Sequence, residues 1–590
     1  MQSESAPTSD ALPNLSSEPS RPYRRFWLIV LAASPALLPL IVFYKYHVDF
    51  IWNDAWDMAT ILVKSHDHTL RISDFLAFHN EHRMPIPYLI MFVLAKLTHW
   101  NTMAELLFGY AMVCLLSLLL AKLLKITIGS TRLPLWPWFL INLLIFNPTQ
   151  GENWGFGFAA CQNFIPLPCI AAAIMLLSWR EPNWKTVGLA AILIELASLS
   201  LTIGLLGWLI IVPLLLCWPS IKRARVTACW IGLMFIGLVV QFWGYRPYAV
   251  QSRYYAASIS NRIQFFFAFL GNPLNHGAST SFGLTIGLGL VLFVVFIFLV
   301  IQCSRTWIVG HHRMVHIMLP WLILGAYAIG AAVLGASGRA GSGVQQAMTG
   351  RYITISAALL VCMVGLASFS GTTKRWVKVG RVIGSGVILV TVVIGAFRAN
   401  DDFAGAVRSR RAGVAHLTFI DLVFEPYAQL LVGIDEHLRE KADVLDEMGY
   451  IRPSLIKSSD LRPLIVPGED LNNPDPSHGT IEDGTQTREG NLQVWGWTIL
   501  PHENRAADMV IISCDDEMNV PRVIATGQVG SLRNDVAKSF GDQFKFCGWA
   551  ASIPINRLPT GSRLIRCWAY DAMNQQVFLL PGLAIRTAEK

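Results

Sequence analysis

The sequence predicts a polytopic α-helical membrane protein, with about eleven transmembrane helices, followed by a C-terminal all-β sandwich domain. Three observations predict it. Of 590 residues, 53% are hydrophobic and only 15% charged, with a mean hydropathy of +0.45, the balance of a chain solvated largely by lipid. Apolar runs approaching the roughly twenty residues that a bilayer core requires recur between about residues 27 and 397. Over the last hundred residues the hydrophobic pattern shifts to short, strand-like stretches separated by turn-rich pieces.

Taken in order, residues 1–25, "MQSESAPTSDALPNLSSEPSRPYRR", are Ser- and Pro-rich and nearly free of large apolar side chains, so they read as a disordered cytoplasmic tail. The run from Phe26 follows Arg21, Arg24 and Arg25 and lacks a small-residue cleavage site, which predicts a retained helix. Further spans are expected at about 102–122, 134–148, 157–179, 186–202, 203–219, 226–246, 280–303, 315–336, 351–370 and 379–397, the pair within 186–219 meeting at "SLSLTIG". "PIPYLIMFVLAKLTHW" (85–100) is too short to cross upright. Read as re-entrant or interfacial, it leaves the loops with Lys122/Lys125/Arg132, Arg180/Lys185, Lys222/Arg223/Arg225, Arg305/Arg313 and Lys374/Arg375/Lys378 on the cytoplasmic side with the N-terminal arginines. Arg408, Arg410 and Arg411 then fall outside, against that trend. On this topology the outer face carries loop 49–84, "NPTQGENWGFG" (147–157), the stretch 244–280 and "GRAGSGVQQAMTGRY" (338–352).

Residues 26–400 thus form the membrane domain. Residues 401–456 read as a helical juxtamembrane segment, 457–490 as a Pro-, Gly- and Asp-rich linker, and 491–590 as the sandwich. Cys514, Cys547 and Cys567 fall on three predicted strands; an oxidised pair and three buried free thiols are both compatible with that placement. Trp495, Trp497, Trp549 and Trp568 read as core or as a sugar-stacking face. The ten cysteines include no CxxC pair or metal-ligand spacing, which argues against structural zinc. The net charge of +8 comes from Lys and Arg flanking apolar runs, so it suits anionic lipid heads and not nucleic acid.

The chemically loaded region follows the first span. "DFIWNDAWDMATILVKSHDH" is followed by "DFLAFHNEHR". Asp54 and Asp57, three apart, share one face of a helix, while Trp52 and Trp56 suit a membrane interface. His79, Glu81, His82 and Arg83 form a polar cluster larger than anchoring a helix end by snorkelling requires. Glu195, inside an apolar helix, reads as a functional acid or an interhelical hydrogen bond. "GRAGSG" lacks the Lys-Ser/Thr of a phosphate loop, and no HExxH, GxSxG or kinase motif is present.

A first span, a long loop opening with "NDAWD", amphipathic pieces, and then "HNEHRMPIPYLI" leading into membrane together resemble the GT-C superfamily of integral membrane glycosyltransferases. That group includes protein mannosyltransferases, oligosaccharyltransferases, aminoarabinose transferases and arabinofuranosyltransferases. "GRAGSGVQQAMTGRY", with Arg339 and the Arg351–Tyr352 pair, is similar to a late outer loop of bacterial proteins of this architecture. The resemblance covers about residues 27–400. It implies an inverting transfer of a sugar from a polyprenyl-phosphate carrier to a glycan, lipid or protein acceptor outside the cytoplasm, in a bacterial inner membrane. It makes Asp54 the base with Asp57 second, and Arg83, Arg339 and Arg351, with Tyr352, the contacts for the departing phosphate. His79, Glu81 and His82 then orient the acid, contact the sugar, or join the acids in binding a divalent cation, a point the resemblance leaves open. The alternative functions are a transporter or flippase of lipid-linked envelope precursors and an envelope polymerase or anchor. A transporter calls for mid-membrane charges and internal repeats, whereas the polar residues here crowd one boundary.

Overall fold

The computed structural model describes residues 22–179, 183–217, 223–246, 257–275, 282–369, 375–433, 435, 437–487, 491–557, 564–582 and 585–586. Most of the predicted tail, part of the 244–280 stretch, and Arg180, Lys222 and Lys374 lie outside them.

Among the described residues, eight helices are long and apolar enough to cross a membrane: Tyr23–Tyr46, Thr102–Ile128, Gly157–Ser178, Arg223–Phe242, Phe282–Ile308, His312–Ser342, Gly350–Phe369 and Lys378–Thr418. Three shorter apolar helices, Pro85–Thr98, Leu135–Ile145 and Thr202–Leu216, accompany them. The chain is an α-helical integral membrane protein. Pro85–Thr98 opens on a proline and ends at His99 in the left-handed conformation; its 14 residues rise about 21 Å, less than the ~30 Å of a hydrocarbon core. The reversal at "SLSLTIG" depends on Gly204, where a Cβ would lie 2.3 Å from the Ala197 carbonyl carbon.

The last membrane helix departs from the expected end near residue 397. It is continuous from Arg375 to Thr418, 44 residues, or about 66 Å. Lys45 Nζ donates to Asn400 Oδ1 at 3.1 Å, and the Tyr46 hydroxyl bonds the same oxygen, so the end of the first span marks how far the helix has run by Asn400. It continues because Phe403, Val414 and Ala415 remain buried and the polar "RANDD" that reads as a terminus is spent on exposed turns.

Two short strands, β1 (Phe78–His79) and β2 (His82–Arg83), form a hairpin. The C-terminal unit contains β3 (Gly479–Gln486), β4 (Leu492–Leu500), β5 (Arg505–Ala506), β6 (Met509–Asp515), β7 (Pro521–Ser531), β8 (Gly548–Ile553), β9 (Leu564–Asp571), β10 (Gln576–Leu579) and β11 (Ile585–Arg586). β3 begins inside the stretch read as linker, because its backbone pairs with β4 despite turn-forming side chains. The order β10-β9-β6-β7-β8-β4-β3 is one hydrogen-bonded path, and its two ends meet where Ile481 N–H donates to Pro581 O at 2.8 Å. The sandwich therefore takes the form of a single curled sheet, a half-barrel around Val494, Val510, Ile512, Ala525 and Trp549. Met509, Ile511, Trp568 and Tyr570 on its other face are buried with Val414, Leu417, Phe419, Trp56 and Met58, which docks the sheet on the long helix and the first loop. That double burial explains why β6 reads as a continuous apolar run. Cys514, Cys547 and Cys567 are buried free thiols, and Trp549 and Trp568 are sealed in the interior.

Candidate active site

The helix Ala55–His66 buries Trp56, Met58, Ala59, Ile61 and Leu62 and places Asp54 at its N-cap and Asp57 in its first turn, where the helix dipole favours carboxylates. The preceding turn is fixed from outside: Asn53, at φ 49°, donates its N–H to Val432 O at 2.9 Å, and Trp56 Nε1 donates to the same oxygen at 3.2 Å. Opposite lies the β1–β2 hairpin, whose Asn80 at φ 52° makes the tight turn that sets His79 across from His82.

His79 bridges both acids. Its Nδ1 is 2.5 Å from Asp57 Oδ2 and its Nε2 is 3.7 Å from Asp54 Oδ2. Burial opposes the imidazolium, but hydrogen bonds and charges from Asp54 and Asp57 outweigh it and push His79 up to about 9. Burial likewise works against the Asp54 carboxylate. The His79 hydrogen bond and the charges of His79, Arg351 and Arg339 overcome it and hold Asp54 below the usual range. His82 behaves oppositely: burial drives it down to about 4, so it is a neutral link. Its Nε2 lies 3.5 Å from Glu81, its Nδ1 is 2.8 Å from Thr202 Oγ1, and Gln241 Nε2 donates to that hydroxyl at 3.0 Å. Glu81 is ion-paired with Arg339.

The far wall is loop 147–157 docked on the start of Gly350–Phe369. Asn153 Nδ2 donates to Arg351 O at 3.1 Å and to Thr354 Oγ1 at 2.7 Å. Arg351 Nε lies 3.7 Å from Glu152 Oε2, and its guanidinium covers the Tyr352 ring at 5.3 Å. Burial raises Glu152; Arg351 pulls it down and Asp54 pushes it further up. Exposure separates the set: Asp54, Asp57, Glu152 and Arg351 keep 40, 50, 42 and 38% of their side chains open, against 26 and 22% for Glu81 and Arg339. The first four are the groups a ligand can reach.

The structure thus gathers Asp54, Asp57, His79, Glu81, His82, Arg339 and Arg351 in one charged cleft. Arg83 is not among them. Its guanidinium donates to Val240 O at 2.6 Å and Trp243 O at 2.5 Å and lies 4.5 Å from the Phe78 ring, capping the end of Arg223–Phe242, where free carbonyls attract a cation. Tyr352 supports Arg351 and packs on Phe265 and Phe269. In the sequence Glu152 is one polar residue among several in "NPTQGENWGFG", and its being the one acid of that loop is the available signal. Glu195 packs beside Gly237 and Trp208, away from the cleft.

A hard divalent cation wants several oxygen ligands. Among the described residues no group of three His, Cys, Asp or Glu side chains is arranged to hold a metal, and the acid pair has His79 between its members. The donor set does not fit such an ion.

No protein-family pattern matches the sequence, and no curated protein does. Among solved structures, the chain is similar to the archaeal oligosaccharyltransferase AglB from Archaeoglobus fulgidus, in complex with an inhibitory peptide and a dolichol-phosphate. The TM-score is 0.40 and the identity 13%, over 73% of this chain and 60% of that one. The match thus spans less than two thirds of that protein's length.

Proposed function

We propose that the protein is a GT-C-type membrane glycosyltransferase that moves a sugar from a polyprenyl-phosphate carrier to an acceptor on the outer face of the membrane. The observation that carries this reading is a reachable carboxylate, Asp54, held ionised by His79 and sharing its cleft with the half-exposed guanidinium of Arg351. In the proposed step the acceptor atom attacks the anomeric carbon as its proton passes to Asp54. The bond from that carbon to the carrier phosphate oxygen breaks, and the phosphate leaves with the electron pair. Attack from the side opposite the leaving group inverts the anomeric centre.

The chain supplies each charge this step needs. A positioned carboxylate makes a weak nucleophile competent, and the low pKa of Asp54 keeps it ready to accept a proton at neutral pH. Arg351 is loosely held: its contact with Glu152 is 3.7 Å, and its buried Nε has no hydrogen-bond partner. A phosphate displaces Glu152 and gains a bidentate, charge-assisted contact. Arg339, engaged by Glu81, adds positive charge to the same field, and Asp57 holds the His79 imidazolium in place.

The test is incubation of purified protein with labelled polyprenyl-phosphate sugars, comparing wild type with Asp54→Asn. Transfer by wild type and its collapse in the variant support the reading. Equal transfer by both removes Asp54 from the reaction, and no transfer from any donor favours the transport alternative.

A further inference from the structure

The carboxylate that takes the proton in the proposed reaction is held by a distant part of the chain. Asn53 N–H and Trp56 Nε1 flank Asp54 on either side, and both donate to one oxygen, Val432 O, at 2.9 and 3.2 Å. Two donors fill the two lone pairs of that carbonyl. Trp56 and Val432 are 376 positions apart, so the turn is fixed by a segment that follows the last membrane helix. That segment, the short helix Ala428–Val432, buries Ala428 and Val432. It is seated on the long helix, where a Cβ on Gly413 would stand 2.6 Å from Phe50 Cε1 and 2.9 Å from Leu431 O. Leu438, Ala442 and Leu445 of the next helix, Leu438–Glu447, are buried in one core with Trp56, Met58 and Leu62, and so back the helix that Asp54 caps.

Gly433 closes this grip. Its backbone, at φ 145° and ψ 153°, occupies a region that in practice only glycine enters. A Cβ there would lie 3.0 Å from Trp56 Cδ1, 3.2 Å from Asn53 Cα and 3.3 Å from Asn53 N. A residue without a side chain is what lets the chain pass this close to the Asp54 turn. Asp54 meets His79 Nε2 at 3.7 Å, a loose contact that leaves the placement of the carboxylate to the turn beneath it.

We propose that Val432 and Gly433 are positioning residues for Asp54: the segment beyond the last membrane helix clamps the Asn53–Trp56 turn and so sets the distance from the carboxylate to His79 and to the reacting atoms. The role of Asp54 rests on the proposed transfer reaction, but the clamp is a matter of geometry that is read without turnover. Displacing a catalytic group by about an ångström costs up to ~10²-fold in rate. Arg351 stands on a separate element, Gly350–Phe369, so loosening the clamp leaves the contact for the carrier phosphate in place.

The full chain is purified in detergent as wild type, Gly433→Ala, Trp56→Phe, which removes one of the two donors, and Gly449→Ala. Gly449 also has a positive φ, 71°, but a Cβ there would meet no atom within 4 Å. In each background the thermal midpoint is read for Asp54→Asn, His79→Gln and the double substitution, and the non-additivity of their shifts measures the contact between positions 54 and 79. That coupling is expected to fall by roughly half or more in Gly433→Ala, by less in Trp56→Phe, and to keep its wild-type value in Gly449→Ala. With labelled polyprenyl-phosphate sugars as probes, Gly433→Ala is expected to lower kcat about 10- to 100-fold while the KM for the donor changes less than about twofold. If Gly433→Ala does not fold, Trp56→Phe carries the same comparison. Lost coupling in a protein whose wild type transfers no sugar leaves the clamp standing and removes the reaction. The clamp is overturned by a wild type without coupling, by coupling retained in both Gly433→Ala and Trp56→Phe, or by an equal loss in Gly449→Ala, which marks general damage to the fold. In an active protein, an unchanged kcat or a rise in KM that matches the fall in kcat also overturns it.

Discussion

The cleft and the Arg505 cluster of the half-barrel are both dense in charge, yet they use it differently. Arg505 donates to Asp508 at 2.6 Å and to Asp571 at 3.1 Å. Asp508 also accepts the Ala572 N–H at 2.9 Å, and Asp571 the Asn574 amide at 2.9 Å. The three side chains are 14, 3 and 4% exposed. In the cleft, Asp54 and Arg351 remain open, their ion-pair contacts are near 3.7 Å, and Arg351 Nε has no hydrogen-bond partner. A closed network fixes structure; an open one of similar composition has bonds left to offer a ligand. Both Arg351 and Arg505 keep a buried Nε without a hydrogen-bond partner, so neither charge density nor one unspent donor identifies a site; what separates the two clusters is that the cleft's charges remain exposed.

Substitutions in the two places sharpen that contrast. The largest effect is expected for Asp54→Asn, which lowers sugar transfer by roughly 10²–10⁴-fold while lowering the unfolding midpoint much less than Asp508→Ala does, as measured by radiolabel transfer and scanning fluorimetry. Asp508→Ala reverses the pattern. It removes one of the two buried carboxylates that hold Arg505 and the acceptor of the Ala572 N–H, and costs about 3 kcal/mol of stability, read as a lowered denaturation midpoint. If Asp54→Asn destabilised the protein as much as Asp508→Ala does, the distinction between open and closed clusters would fail.

Arg351→Gln comes next, with transfer reduced by roughly 10–100-fold and expressed mainly as a higher KM for the carrier. A smaller, pH-dependent effect is expected at His79. Its folded pKa, about 9, lies above the ordinary 6.5, so its protonated bridge stabilises the fold fully below pH 6.5 and loses that contribution as pH rises through 9. The difference in midpoint between wild type and His79→Gln should therefore shrink across that interval. A constant difference would mean that His79 acts by packing and not by charge. The smallest effect is expected at the surface: Glu482→Ala removes an Arg533 partner that is 37% exposed and changes stability by less than about 1 kcal/mol.

The sequence carried the acids and histidines of the first loop into view because their position after a span and beside a short apolar helix is local information. Asp54 and Asp57 are three apart on one helix, and His79 and His82 lie across a two-residue turn, so both pairings follow from chain geometry. Arg83 illustrates the limit. In the sequence it is indistinguishable from a phosphate ligand, and only the arrival of helix Arg223–Phe242, 157 and 160 residues away at Val240 and Trp243, turns it into a cap. Glu152 shows the converse, gaining significance only when Arg351 is brought beside it from 199 positions later.

What the sequence determined by itself was the choice of solvent: long apolar runs for lipid, alternating strands for a β domain, and polar residues concentrated in particular loops. These depend on composition and on short periods that each segment carries alone. Tertiary structure decided which charges would meet, how far the last helix runs past Asn400, and which side chains stay unsatisfied once packed. Burial and electrostatic pairing belong to two or more distant segments at once. That is why His79 and His82, alike and three positions apart, end with their pKa values displaced in opposite directions.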